Sequence, residues 1–238
     1  MNKPDIPKNE KERLEALYSY HLLDEIEQKE FNDIVNLAAQ ICQTPISLIT
    51  LIDSSVQWHK AKVGLDEKKI KREISFCGHA INQPDEILIV QDATKDERFA
   101  ENPLVTGEPN IAFYAGIPLV TQEGFPLGAL CVIDREPRQL SDLQILALQT
   151  LSRQVIRLFE LLKIVKESDK KDAEIERHNE KMGEICHDIK SHLRKMELSA
   201  EVLKRKHQNE LDEESLGLLN DIQQESSDAI ELINNRNS

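Results

Sequence analysis

Residues Ile111 to Asp134 read "IAFYAGIPLVTQEGFPLGALCVID". Two apolar runs, "IAFYAGIPLV" and "FPLGALCVID", flank "TQEG", whose Gly124 suits a tight turn, so the stretch predicts an antiparallel hairpin. A second hairpin lies upstream. "ISLITLID", from Ile46, is a strand by its length and β-branched content, and "VQWHKAKVG" follows a turn at Asp53–Ser55. Between the hairpins, "SFCGHAIN" predicts a short helix, "EILIVQD" another strand, and "DERFAENPLV" an irregular or briefly helical segment. Helices enclose this set. Lys11 to Tyr20 is charged and leucine-bearing. "EIEQKEFNDIVNLAAQIC" spaces Phe31, Ile34, Val35, Leu37, Ala38 and Ile41 at helical intervals until Pro45 ends it. From Ser141 to about Lys206 the pattern is again helical. An antiparallel sheet with helices at its start and end is an α+β domain.

The 238 residues suffice for one domain of about 150 residues plus an extended element. A net charge of −13 argues against a nucleic-acid footprint, which needs a basic patch. No apolar run approaches the roughly 20 residues of a membrane span, and the polar start "MNKPDIPKNEKE" has no signal-peptide core. These features predict a cytoplasmic protein with no membrane partner. Cys42, Cys77, Cys131 and Cys186 form no CxxC pair, so reduced thiols are expected.

Leu151, Val155, Leu158, Leu162 and Val165 alternate by four and three, a heptad seam. A charged stretch, "KESDKKDAEIERHNEK", follows and reads as a solvated helix or linker. The seam resumes at Ile175, Met182, Ile189, Met196 and Leu203, one residue out of phase with the first. "HQNELDEE" breaks the helix, and Leu219, Ile222, Ala229 and Ile233 define a second amphipathic helix. A short loop between two such helices predicts an antiparallel pair. Their apolar stripes need more than one partner, which predicts a homodimer with a four-helix bundle.

Within the first of these helices stands "EICHDIKSHL". With Met182 at a and Ile185 at d, His187 falls at f and faces solvent, where an imidazole can reach a phosphate donor. Asp188 can hold one ring nitrogen protonated and leave the other as nucleophile. Surface positions of a coiled coil are polar anyway, so exposure alone also fits an ordinary histidine.

Two resemblances extend this reading. "RLEALYSYHLLDE", "PISLITLIDSSVQWHKAKVGL", "SFCGHAI", "VQDATKDERFAENPLV", "FYAGIPLVTQEGFPLGALCVID" and "LQTLSRQV" fall in the order of a GAF domain. The resemblance spans about residues 10–163. It implies about six antiparallel strands, terminal helices on one face, and a small-molecule pocket or its closed remnant on the other. "HDIKSHL" resembles the H-box of sensor histidine kinases. That resemblance implies a dimerisation and phosphotransfer hairpin over residues 182–238, with His187 as phosphoacceptor, Asp188 as its acid–base partner and Ser191 at the polar position four residues on. His192 departs from the proline common there. The implied organisation is a disordered stretch at 1–9, a GAF sensor at 10–163, a charged helical linker at 164–181, and the hairpin.

The 238 residues contain no GxG and no Walker-type loop, so no autonomous kinase activity is expected. Phosphate would come from a separate kinase ATP-binding domain or a response regulator. The alternative is a non-catalytic dimeric GAF module whose hairpin is purely structural. Trp58, Phe76, Cys77, His79, Phe113 and Tyr114 are the candidate ligand-binding residues for an unidentified small molecule. Cys77 and His79 supply only two metal ligands, and His59, Cys131 and Cys42 are the only further donors considered; no metal and no cofactor are expected. A bilin site would need a cysteine directly followed by histidine, whereas Gly78 intervenes here. The cysteine arrangement also does not match that of GAF methionine sulfoxide reductases.

Overall fold

The computed structural model describes residues 2–23, 29–206 and 213–236. The chain divides into two compact units, residues 1–166 and 167–238.

The first unit is built on a six-stranded antiparallel sheet. Its strands are β1 (Ile46–Ile52), β2 (Val56–Val63), β3 (Lys69–Lys71), β4 (Leu88–Val90), β5 (Phe113–Val120) and β6 (Pro126–Asp134), in the order β3-β2-β1-β6-β5-β4. Both predicted hairpins form, β1 with β2 and β5 with β6, and β1 and β6 pair at the centre. Every residue of these two central strands is buried. A strand covered on both faces needs apolar residues on both, which is why "ISLITLI" and "FPLGALCVID" read as continuous rather than alternating runs. The outermost strands, β3 and β4, are three residues each, and short edges limit unwanted pairing.

Helices α1 (Glu10–Ser19) and α2 (Lys29–Cys42) and the start of α5 (Asp142–Lys206) cover one face. Their core includes Leu17, Phe31, Val35, Ala38, Leu148, Val155 and Phe159 against Ile49, Leu51, Phe113, Leu119 and Leu130. Leu37, expected on the apolar side of α2, is exposed. The buried stripe of α5 is Leu148, Ser152, Val155 and Phe159, with Leu151, Leu158 and Leu162 half-buried beside it. The first heptad seam is therefore spent on this domain's own core, and only Val165 of the five is exposed. A sheet face demands a wide apolar stripe, and a seam of the same period cannot be told from one by spacing alone. Phe159 meets Phe31 edge-on at 5.3 Å. Tyr20 donates to Glu160 at 2.6 Å and Gln144 to the Ile41 carbonyl at 3.0 Å, tying α5 to the N-terminal helices.

α1 is fastened to the sheet by charge. Glu10 accepts from Arg13 at 2.7 and 2.9 Å and from Arg72, whose guanidinium also reaches the Asp53 carbonyl at 3.0 Å. Arg13 is wholly buried and donates to the Pro126 carbonyl.

The opposite face carries α3 (Phe76–Ala80), α4 (Pro103–Thr106) and the connections around them. Ser75 caps α3 by accepting from Gly78 N–H at 2.7 Å, and Asn102 caps α4 by accepting from Leu104 N–H at 2.9 Å. Residues 2–9, expected to be disordered, are instead held on this face over residues 2–5. Asn2 N–H donates to the Arg98 carbonyl at 3.1 Å, Lys3 pairs with Glu73 at 2.9 Å, and Asn82 donates to the Asp5 carbonyl at 2.9 Å. Polar composition suggested a free tail, but these are bonds that a polar segment makes well.

In the second unit the rest of α5 packs antiparallel against α6 (Glu213–Arg236). Lys204 donates to both Asn220 and Gln223. Among the described residues Ala200 and Ser226 are buried there, and Met196, Leu203, Leu219 and Ile222 line a groove with Ala200. The break expected at "HQNELDEE" falls mostly at residues 207–212, outside the described residues. Ile175, Met182, Ile185, Ile189, Met196 and Leu203 are all exposed in the single chain.

Candidate functional site

A cavity of about 80 Å³ lies between the sheet and the α3–α4 layer. Strand alternation decides what faces it. On β2, Gln57 and His59 point inward, and on β5 so does Tyr114; Leu48 and Ile133 complete the floor. Phe76 and Cys77 enter from α3, Leu104 from α4, and Glu67 and Glu108 from the loops. Among the described residues no lysine or arginine lines it.

One chain of hydrogen bonds sets the polar wall. Ser75 donates to Gln57, whose amide donates to His59 Nε2 at 3.1 Å, while His59 Nδ1–H donates to the Glu67 carbonyl at 2.7 Å. Both ring nitrogens are thereby used by the neutral form. Burial lowers the His59 pKa, against the opposing pull of the Glu67 carbonyl.

The apolar wall has its own order. Phe76 stacks on Phe99 at 4.0 Å and lies 5.1 Å from the Tyr114 ring. The Tyr114 hydroxyl reaches across Gly116, where a Cβ would stand 2.0 Å from its oxygen, and donates to Cys77 Sγ at 3.2 Å. Cys131 Sγ, on β6, lies 3.7 Å from Cys77 Sγ. Burial pushes the Tyr114 hydroxyl far up. Burial also opposes ionisation of both thiols. The hydrogen bonds converging on Cys77 pull its pKa down, and its proximity pushes that of Cys131 up.

Of the six candidate ligand residues, the structure brings Phe76, Cys77 and Tyr114 together. Trp58 and Phe113 stand on the other face, because each is the immediate strand neighbour of a pocket residue, Gln57 and Tyr114. Trp58 packs under the helices with Lys69 over its ring, and Phe113 is wholly buried in the helix-side core. His79 sits one layer out, edge-on to Phe99 at 4.9 Å and bonded to the Asn2 carbonyl at 3.2 Å. Gln57, Glu67 and Glu108 were not singled out from sequence, and His59 was considered only as a metal donor. The alternation of β2, which puts Gln57 and His59 on one face and Trp58 on the other, was the signal that could have grouped Gln57 with His59. Among the described residues no group of three or more His, Cys, Asp or Glu side chains could hold a metal ion.

In the second unit His187 and Asp188 are exposed and Ser191 is half-buried. Successive helical residues diverge by about 100°, so the Asp188 carboxylate does not face the His187 ring along the helix. His192 Nδ1–H donates to the Asp188 carbonyl at 2.8 Å.

The description "GAF domain" belongs to the family model that matches residues 27–157, more than half of the chain. The chain belongs to the GAF domain family. Its pocket layer, from α3 to β5, lies wholly inside the matched segment, whereas His187 lies outside it. This GAF chain is similar to a cyclic di-GMP phosphodiesterase of Pseudomonas aeruginosa, with 46% identity over 138 residues. The match covers 58% of this chain and 23% of that protein, so the chain spans about a quarter of that relative's length. Among solved structures it is similar to the GAF domain of an Acinetobacter phosphoenolpyruvate-protein phosphotransferase, at 20% identity and TM-score 0.48, covering 66% of this chain and 96% of that one. It is also similar to the blue-light absorbing form of the Thermosynechococcus elongatus PixJ GAF domain, at 18% identity and TM-score 0.49, covering 64% and 94%. Among the described residues no helix of the GAF chain is long and apolar enough to cross a membrane.

Proposed function

We propose that this chain is a cytoplasmic sensor and relay protein. Its GAF pocket takes a small molecule with an apolar body. The response is carried at His187, a phosphoacceptor in a homodimeric helical hairpin that receives phosphate from a separate ATP-binding domain or a response regulator. The observation that carries this reading is α5, one helix that buries Leu148, Val155 and Phe159 in the GAF core and bears His187 with an exposed ring further along. The ligand class follows from the wall. The lining is mostly apolar, from Leu48, Leu65, Ile70, Phe76, Leu104, Ile111, Tyr114 and Ile133, with Gln57 and His59 as its polar edge, so an apolar body is favoured there. The present cavity is below the roughly 300 Å³ at which small-molecule sites begin, so binding of a larger molecule requires the α3–α4 layer to move outward.

Phosphate transfer tests the relay. The chain mixed with ATP and Mg²⁺ alone should incorporate none. Label should appear when a histidine-kinase catalytic domain or a phosphorylated response regulator is added, and it should be acid-labile. His187→Gln should abolish it and His192→Gln should keep it. Failure of every donor to label the chain overturns the relay.

A second reading is a dimeric ligand-binding module with a structural hairpin and an output other than phosphorelay. The 46% identity to part of a cyclic di-GMP phosphodiesterase favours it. A chain that dimerises and binds ligand but never accepts phosphate would be this module.

A further inference from the structure

We propose that Cys77 and Cys131 are a peroxide-oxidisable dithiol in the wall of the GAF pocket, forming an intramolecular disulfide that pins α3 to the central strand β6. The inference is independent of which molecule the pocket binds and of the fate of His187.

The two sulfurs are 3.7 Å apart, and a disulfide needs about 2.05 Å, so they must approach by about 1.6 Å. Rotation of side chains on a five-residue helix supplies such a shift more readily than movement of a central strand. No other cysteine competes inside the domain. Cys42 lies in the core on the opposite face of the sheet, and Cys186 is in the second unit. Cys77 also lines the cavity, whose volume of about 80 Å³ exceeds the roughly 10–15 Å³ that admits one water. A peroxide of two oxygens is small enough for that cavity. The Tyr114 hydroxyl donates to Cys77 Sγ and favours the thiolate there, which makes Cys77 the attacking sulfur and Cys131 the resolving one.

The chemistry balances with hydrogen peroxide as oxidant. The Cys77 thiolate attacks one peroxide oxygen, the O–O bond breaks, and the leaving hydroxide takes a proton to become water. Cys77 is then a sulfenic acid. Cys131 sulfur attacks Cys77 sulfur, the S–O bond breaks, and the departing hydroxide takes the Cys131 proton as a second water. Two thiols lose two electrons and one peroxide gains them. The Tyr114 hydroxyl then loses a thiolate acceptor, and the α3 wall is tied to the sheet, which closes the pocket to the outward movement a larger ligand needs.

The test uses the full chain, fully reduced, then exposed to a small excess of hydrogen peroxide, denatured in alkylating reagent and mapped by mass spectrometry. The four free thiols should fall to two. The intact mass should drop by two hydrogens, and a Cys77–Cys131 cross-linked peptide should appear and vanish with dithiothreitol. Cys42→Ser and Cys186→Ser should keep the cross-link, and Cys77→Ser and Cys131→Ser should each abolish it. The wild-type peptide map decides the matter even if a core serine variant fails to fold. The proposal is overturned if Cys186 is oxidised while Cys77 and Cys131 stay free, which would make them plain core thiols. It is equally overturned if Cys77 ends as a sulfinic acid with Cys131 still alkylated.

Discussion

Phe159→Ala tests whether the start of α5 belongs to the sheet's core or to a coiled-coil seam. Phe159 is wholly buried and meets Phe31 edge-on at 5.3 Å, with Val155 and Leu148 in the same cluster. Truncating a buried phenylalanine costs about 3–5 kcal/mol, the lost transfer free energy plus the cavity left behind. For a unit of this size, each kcal/mol moves the midpoint by about 2–4 °C, so the expected loss is about 6–20 °C. Trp58 is the only tryptophan and packs on the helix face of the sheet, so its fluorescence during urea unfolding reports on this unit alone. Leu143→Ala is the control. That residue is on the same helix but 72% exposed, and its loss should stay within about 0.5 kcal/mol. Phe31→Ala combined with Phe159→Ala closes a cycle, in which the edge-on ring pair should show a coupling of about 0.5–1.5 kcal/mol. If Phe159→Ala unfolds at the wild-type urea midpoint, or the two substitutions simply add, then α5 is not seated as described.

Glu10 is held by Arg13 and Arg72. Burial would raise its pKa, but their hydrogen bonds lower it below the ordinary carboxylate value. Its contribution should be complete above the unfolded pKa and fade as pH falls through the lower folded one, so Glu10→Gln should flatten stability against pH on the acid side in urea titrations. Gly116→Ala would place a methyl 2.0 Å from the Tyr114 hydroxyl oxygen, and it should cost about 1–3 kcal/mol and break the bond that favours the Cys77 thiolate, read by thermal melting and by slower Cys77 alkylation. Nitrogen NMR should find His59 neutral with its proton on Nδ1 at pH 6.5, since burial lowers its pKa; a charged ring there would contradict the wall as described. Sedimentation should find the full chain dimeric at micromolar concentration and a chain ending at Lys163 monomeric, because the exposed seam from Ile175 to Leu203 is then gone.

Most of the fold was legible because its signals are local. Gly124 adopts a φ of +87° in the β5–β6 turn, and Pro45 follows a helix that ends at Cys42. "ISLITLI" and "FPLGALCVID" each sit at the sheet's centre, where a continuous apolar run belongs. What was not legible is what one period can serve twice. Leu151, Leu158 and Leu162 repeat as a seam does, yet they lie beside the stripe that α5 turns to the sheet, and only the presence of α1, α2 and Phe31 decides that use. The N-terminal residues were misread for a related reason. Their partners, Glu73, Asn82 and Arg98, are 70 or more positions away and leave no trace in local composition.

The site divides along the same line. Phe76, Cys77 and Tyr114, chosen by residue type within recognisable segments, line the cavity, whereas Trp58 and Phe113, grouped with them on aromaticity alone, do not. Register separates them, because a strand sends neighbours to opposite faces. Once Tyr114 is known to bond Cys77, Phe113 must face the helices, and once Gln57 is known to accept from Ser75, Trp58 must do the same. The pocket is thus fixed by two cross-element hydrogen bonds rather than by its aromatic residues. Both bonds end on the segment Ser75–Cys77, at the entry to α3, so that short helix is where the proposed ligand entry and the proposed thiol chemistry would meet. A ligand that pushes α3 outward must stretch the Tyr114–Cys77 contact and separate Cys77 from Cys131. Occupancy and oxidation should therefore oppose each other, each trapping the wall in the position the other cannot use.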